Sequence, residues 1–184
     1  MTVFGAWSIG AWLSEWLKWV LTLLLAVLVM DIANYRRWEW VLLGITVAGA
    51  AHALIGLYIF LGGSGADHLL IAGRFFRAFG TFGQPNPFGG FMGLLAPVAL
   101  ASAWGYGHVL WVMQRNHGPI DRNIVLLAGF YSICGGLMVA ALIASWSRGA
   151  WLSLAGALTV TMIACRVDGW QSLAWVRVCL LAAT

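Results

Sequence analysis

Apolar residues dominate five long stretches of this 184-residue chain, and polar residues gather in the intervals between them. A hydrocarbon layer takes roughly 20 helical residues to cross. Runs over Trp12 to Met30, Trp40 to Leu61, Phe88 to Met113, Ile124 to Ala144 and Trp151 to Cys165 approach or reach that length. A sixth run begins at Leu173 and stops at Thr184, short of a crossing and without interfacial residues, so the chain reads as truncated. The pattern predicts an all-α integral membrane protein: a polytopic bundle of about five transmembrane helices plus a partial sixth. It also predicts one transmembrane domain over residues 1–184, a portion of a larger polytopic protein.

Composition agrees, with 62% hydrophobic and 9% charged residues and a mean hydropathy of +0.89, whereas soluble domains carry about a quarter charged residues. Ten Lys and Arg against six Asp and Glu leave a net charge of +4. These cations are scattered singly or in pairs and form no nucleic-acid-binding stripe. Twelve Trp suit a protein with two water interfaces, and Trp16, Trp19, Trp38, Trp40, Trp146, Trp170 and Trp175 flank the apolar runs. Cys134, Cys165 and Cys179 are too widely spaced for a metal cluster and lie in apolar stretches, so no disulfide is expected. No typical secretory signal opens the chain, and the first span itself would direct insertion. Glu15 and Lys18, one turn apart near the start of that span, can pair or snorkel.

Counting Lys and Arg in the connections orients the spans. Arg36, Arg37, Arg115, Arg122, Arg166 and Arg177 share one set of connections, which should be cytoplasmic. The other set holds only Arg74, Arg77 and Arg148. An arginine beside hydrocarbon is costly and usually faces a polar cavity holding an anion, so these three mark the candidate chemistry and should share one membrane face. The longest connection, Gly62 to Pro87, is rich in Gly, Pro, Asn and aromatic residues. A re-entrant or interfacial segment between spans two and three is expected, because non-helical backbone at membrane depth survives where protein or a watery cavity satisfies it. Gly80, Gly83, Pro85 and Pro87 should break any helix there, and Asn86 offers an amide from a restricted backbone. Pro97 should kink the third span.

Two motifs in these segments carry a resemblance. Arg77-Ala-Phe-Gly-Thr-Phe-Gly-Gln-Pro-Asn-Pro-Phe-Gly-Gly resembles the R-x-x-G-T-F-x-x-P-N signature of the O-antigen ligase and polymerase superfamily, and Ser147-Arg148-Gly-Ala-Trp resembles its S-R-G signature. Their order and spacing also fit, over approximately Trp12 to Cys165. The resemblance implies a multi-pass glycosyltransferase of the bacterial inner membrane, acting in lipopolysaccharide or cell-envelope assembly. Such an enzyme moves a glycan from undecaprenyl pyrophosphate to an acceptor hydroxyl at the outer face. Its partners are the lipid-linked glycan donor, membrane lipids, and a glycan, lipid or protein acceptor. Arg77 and Arg148 match the family's arginines and become the catalytic candidates. Arg74, Asn86 and Ser147 are candidate substrate contacts, although Arg74 has no secure counterpart in the motif.

Arginine suits that chemistry on physical grounds. Cleaving a sugar–pyrophosphate bond develops negative charge on the leaving phosphate, and a planar, permanently charged guanidinium can grip two phosphate oxygens. The outer face offers one acidic residue, Asp67, and no carboxylate cluster, so a metal-independent site without cofactors is expected. Members of the family carry the histidine that deprotonates the acceptor on a large outer loop in their C-terminal half. This chain ends before any such loop, and is expected to be inactive alone. His68 is the one histidine expected on the outer face; a base role and a loop hydrogen-bonding role both remain open for it.

Plainer readings stand beside these. Arg148 could cap the carbonyls ending the fourth span. Arg74 is either an interfacial snorkeller or a phosphate contact. Asn86 and its prolines could only shape a turn. Gly89, Gly90 and Gly93 more often mean close helix packing than ligand binding. His52 and His108 lie within apolar spans, where hydrogen bonding inside the bundle is expected, and His117 belongs to a polar cytoplasmic turn. A small-anion transporter of the bicarbonate type is the alternative function, though no internal repeat supports it. A noncatalytic membrane fragment would share every local feature.

Overall fold

A computed structural model describes residues 9–34, 37–63, 65, 69–71 and 73–167. In chain order its elements are α1 (Ile9–Asn34), α2 (Trp38–Phe60), β1 (Leu70–Ile71), β2 (Phe75–Phe76), α3 (Pro85–Arg115), α4 (Arg122–Ala144) and α5 (Arg148–Val167). Among the described residues, four helices, α1 to α4, are long and apolar enough to cross a membrane. The protein is a mostly helical membrane protein. The fifth expected span is helical over Arg148–Val167, as α5. The short antiparallel pair β1–β2, with Leu70 opposite Phe76 and Ile71 opposite Phe75, is a departure from purely helical expectation. The run from Leu173, together with Cys179 and Arg177, lies outside the described residues.

The chain divides into two compact units, residues 1–44 and 45–184. In the first, no part of the α1 span is buried. A helix apolar on every side is stable in hydrocarbon, where its exposed Leu and Val side chains meet lipid of matching polarity. Lys18 donates to Glu15 one turn away, and Trp12 lies 5.9 Å from Trp16 between ring centroids.

In the second unit α3 packs most extensively on α4 and also carries α5. The buried cluster joins Phe88, Met92, Ala96 and Ala99 of α3 to Cys134, Met138, Ala141 and Leu142 of α4, and to Ala150 and Leu154 of α5. Lipid tails are as apolar as leucine, so close van der Waals approach through small residues holds such helices together. A β-carbon built on Gly93 would lie 3.5 Å from Leu142 Cδ1 and 3.6 Å from Ala150 O. On Gly135 it would come within 2.9 Å of Leu100. Gly89 and Gly93 therefore pack as the glycine spacing suggested, whereas Gly90 meets nothing within 4 Å and belongs to the exposed side.

Helix ends depart from expectation in one instructive place. The third span was expected from Phe88, with the prolines as breakers, yet α3 begins at Pro85. Proline is pre-organised for a first helical turn because the N–H it lacks would have no partner there. Pro85 and Pro87 thus start the helix, and Asn86 sits within its first turn, not in an irregular loop. The helix also continues through Pro97. At α4 the start is set by Asp121, whose side chain accepts from Asn123 N–H at 2.8 Å. Asp121→Ala should cost ~1 kcal/mol, seen as a lower melting temperature in lipid nanodiscs, and Asp121→Ser should restore most of it.

Candidate functional site

The C-terminus of α4 presents carbonyls with no partner inside the helix, and the sequence supplies their donors from far away. Arg77 Nε donates to Ser145 O at 3.0 Å, and its Nη2 donates to Trp146 O at 3.2 Å and to Asn86 Oδ1 at 3.4 Å. Next to it, Ala78 N–H donates to Ala144 O at 3.0 Å. The Arg77 segment is thereby stitched to the turn that joins α4 to α5. A guanidinium at this end also meets the negative pole of the helix dipole. The capping role considered for Arg148 belongs to Arg77.

The turn itself is tightly organised. Ser145 Oγ donates to Leu142 O at 2.7 Å and accepts from Ser147 N–H at 3.3 Å. Trp151 Nε1 reaches the same Leu142 carbonyl at 3.3 Å. Ser147 is buried and precedes α5, its carbonyl taking the Trp151 N–H at 3.1 Å. Trp146 is held at φ 52°, a left-handed conformation that costs a residue with a β-carbon about 1–2 kcal/mol. On the α3 side Gly89 makes room: a β-carbon there would lie 2.8 Å from Ser145 Oγ and 3.0 Å from both Ala150 Cβ and Ser147 Cβ. The two motifs, some seventy residues apart in sequence, meet across this contact.

Arg148 is exposed as the first residue of α5 and has no partner among the described residues. It lies two residues from Trp146, so its Cα is within about 7.6 Å of the residue that Arg77 grips. A cation at a helix N-terminus opposes the dipole, and nothing near it in sequence relieves this: no Asp or Glu occurs in residues 69–85 or 145–151. Arg77 Nη1 likewise has no partner among the described residues. An anion at the start of α5 would meet Arg148 and the amides of the first turn of that helix.

Arg74 is placed differently. Its guanidinium carbon lies 5.5 Å from the centroid of Phe75, which stacks on Phe60 at 5.2 Å, at the end of α2. It remains on the hairpin and makes no hydrogen bond to Arg77, Arg148 or their turn.

Between Arg77 and α3 the chain turns at Gly80 and Gly83, with φ 53° and 70°. Thr81 Oγ1 pairs with His52 Nδ1 at 3.1 Å. His52 lies eight residues before Phe60, about 12 Å along the helix axis at 1.5 Å per residue. Phe82 packs 5.7 Å from the His52 ring and 5.2 Å from Phe91, which is six residues inside α3. His52 is thus bonded to the connecting segment instead of to another span. His52, Ser145 and Trp146 carry no motif, Thr81 stands in the first one, and the spacing of the sequence held no signal for their meeting. Asp67 and His68 lie outside the described residues.

No family model, curated protein or solved structure matches this chain.

Proposed function

We propose that the protein is the donor-binding part of an O-antigen ligase-like glycosyltransferase, transferring a glycan from undecaprenyl pyrophosphate to an acceptor hydroxyl. In this reading five spans are embedded in a bacterial inner membrane, α5 among them, with the Arg77–Arg148 end at the outer face. The stretch from Arg77 to Gln84 is re-entrant, consistent with Thr81 reaching a histidine two helical turns below the end of α2. The single observation that carries the reading is the union of the two motifs: Arg77 of one is bonded to the turn that begins the other. That contact leaves Arg148 free.

The two arginines divide the work. Arg77 uses Nε and Nη2 to hold the turn and offers Nη1 to the phosphate. Arg148 contributes a full charge with no internal partner to displace, and binds the leaving diphosphate more tightly as negative charge develops on it. Asn86 steadies Arg77, and Ser147 sets the start of α5. Acceptor deprotonation requires a base that this arrangement does not provide.

The test is undecaprenyl pyrophosphate binding to the protein in nanodiscs. Arg148→Ala should weaken binding roughly ten- to a hundredfold, the scale of one charge-assisted contact, while Arg74→Ala should change it less than threefold. Equal binding by wild type and Arg148→Ala would remove the basis of the assignment.

A further inference from the structure

Trp146 raises a question that the diphosphate reading leaves unanswered. A glycine would close the α4–α5 turn without conformational cost, yet a large aromatic residue occupies the left-handed position, at φ 52°. Anchoring at the headgroup level does not require this, because Trp16, Trp19 and Trp40 are exposed from ordinary helical backbone. An unfavourable backbone persists where the surroundings over-determine it, and such positions cluster at ligand sites. Here the surroundings are explicit. The Trp146 carbonyl accepts from Arg77 Nη2 and its N–H donates to Ile143 O at 3.1 Å. The side chain remains 52% exposed, two residues from Arg148.

A second indole stands beside it. Trp151, 38% exposed, lies 6.2 Å from Trp146 between ring centroids at an interplanar angle of 53°. Its Nε1–H is committed to Leu142 O, which fixes the ring and leaves its faces for contact. Two exposed indoles, one of them fixed by its Nε1–H, beside cations with no acidic partner among the described residues suit a ligand with a flat apolar face joined to an anion. A pyranose ring has such a face in its axial C–H groups, and a sugar diphosphate joins it to the charge.

We infer that Trp146, braced by Trp151, is a stacking platform for the first pyranose of the diphosphate-linked glycan. This rests on the diphosphate reading above and adds the sugar subsite to it. The platform explains why the strained residue is aromatic and why Arg77 grips its carbonyl: the same guanidinium that faces the phosphate holds the backbone that carries the ring receiving the sugar.

The experiment compares UDP with UDP-N-acetylglucosamine on the protein in nanodiscs, the difference reporting the sugar ring alone. Wild type should bind the sugar nucleotide roughly tenfold more tightly than UDP, the scale of one good aromatic contact. Trp146→Gly, which suits the left-handed backbone and so should fold, should erase that preference while leaving UDP affinity within twofold. Trp146→Phe should keep most of it. A preference that survives in Trp146→Gly, or is absent from wild type, overturns the platform while leaving the diphosphate site intact. UDP binding that is absent, or unmoved by Arg148→Ala, overturns the diphosphate reading and the platform with it.

Discussion

Arg77→Ala should lower the stability of the second unit by about 2–3 kcal/mol, and with it abolish diphosphate binding. The side chain makes three hydrogen bonds, two of them to carbonyls at the end of α4 and one to Asn86. Bonds from a charged donor are worth ~1.5–3 kcal/mol each, but this guanidinium is half-exposed, and solvent screening reduces the sum. Removing it also strips the α4 terminus of its cation. Arg77→Lys keeps the charge without the fork that spans Ser145 and Trp146, so it should recover less than half of the lost stability. Thermal unfolding in nanodiscs reads the first effect. The second is read by labelling Thr81→Cys with a membrane-impermeant maleimide, which should accelerate in the Arg77→Ala background as the segment lifts from α4. Unchanged melting and unchanged labelling in Arg77→Ala would mean that the contact between the motifs carries no weight.

The helices were legible because their signal is additive: twenty apolar residues in a row outweigh any single exception. Their ends were not, because an end depends on one or two residues whose meaning changes with context. Pro85 and Pro87 show this. Read along the chain they break helices; in place they begin one, since the missing N–H falls where none is needed. The β1–β2 pair of two residues each is too short to leave a period in the sequence.

The candidate site divides in the same way. That Arg77 and Arg148 matter could be read from the cost of arginine in an apolar chain, and Gly80 and Gly83 could be read as turns. Which arginine grips protein and which stays free could not, because that is decided by the carbonyls of Ser145 and Trp146, and a carbonyl has no residue identity. His52 was hidden for another reason: its partner, Thr81, lies 29 residues along the chain, beyond the β1–β2 pair and the Gly80 turn. Arg74, three residues from Arg77 and chemically identical to it, lies over Phe75 from the turn between β1 and β2.

Gly89 and Gly90 provide the sharpest separation between neighbouring residues, and substitution should send them in opposite directions. Alanine at either position gains up to ~1 kcal/mol of helix propensity. At Gly90 the new methyl enters open space, so Gly90→Ala should be neutral or stabilising. At Gly89 it would meet Ser145 Oγ at 2.8 Å and the β-carbons of Ala150 and Ser147 at 3.0 Å, three atoms of the α4–α5 turn and first turn of α5 that cannot all retreat together. Overpacking of a fixed contact costs ~1–3 kcal/mol, so Gly89→Ala should be destabilising despite its propensity gain, and Gly89→Val more so. Because those atoms belong to the turn that Arg77 holds, the loss should extend to diphosphate binding, with Arg148 displaced although its own side chain is untouched. The check is paired melting curves and binding isotherms for the two alanine variants. Equal behaviour of Gly89→Ala and Gly90→Ala would show that α3 and the turn do not meet at van der Waals distance, and the site would then have no floor.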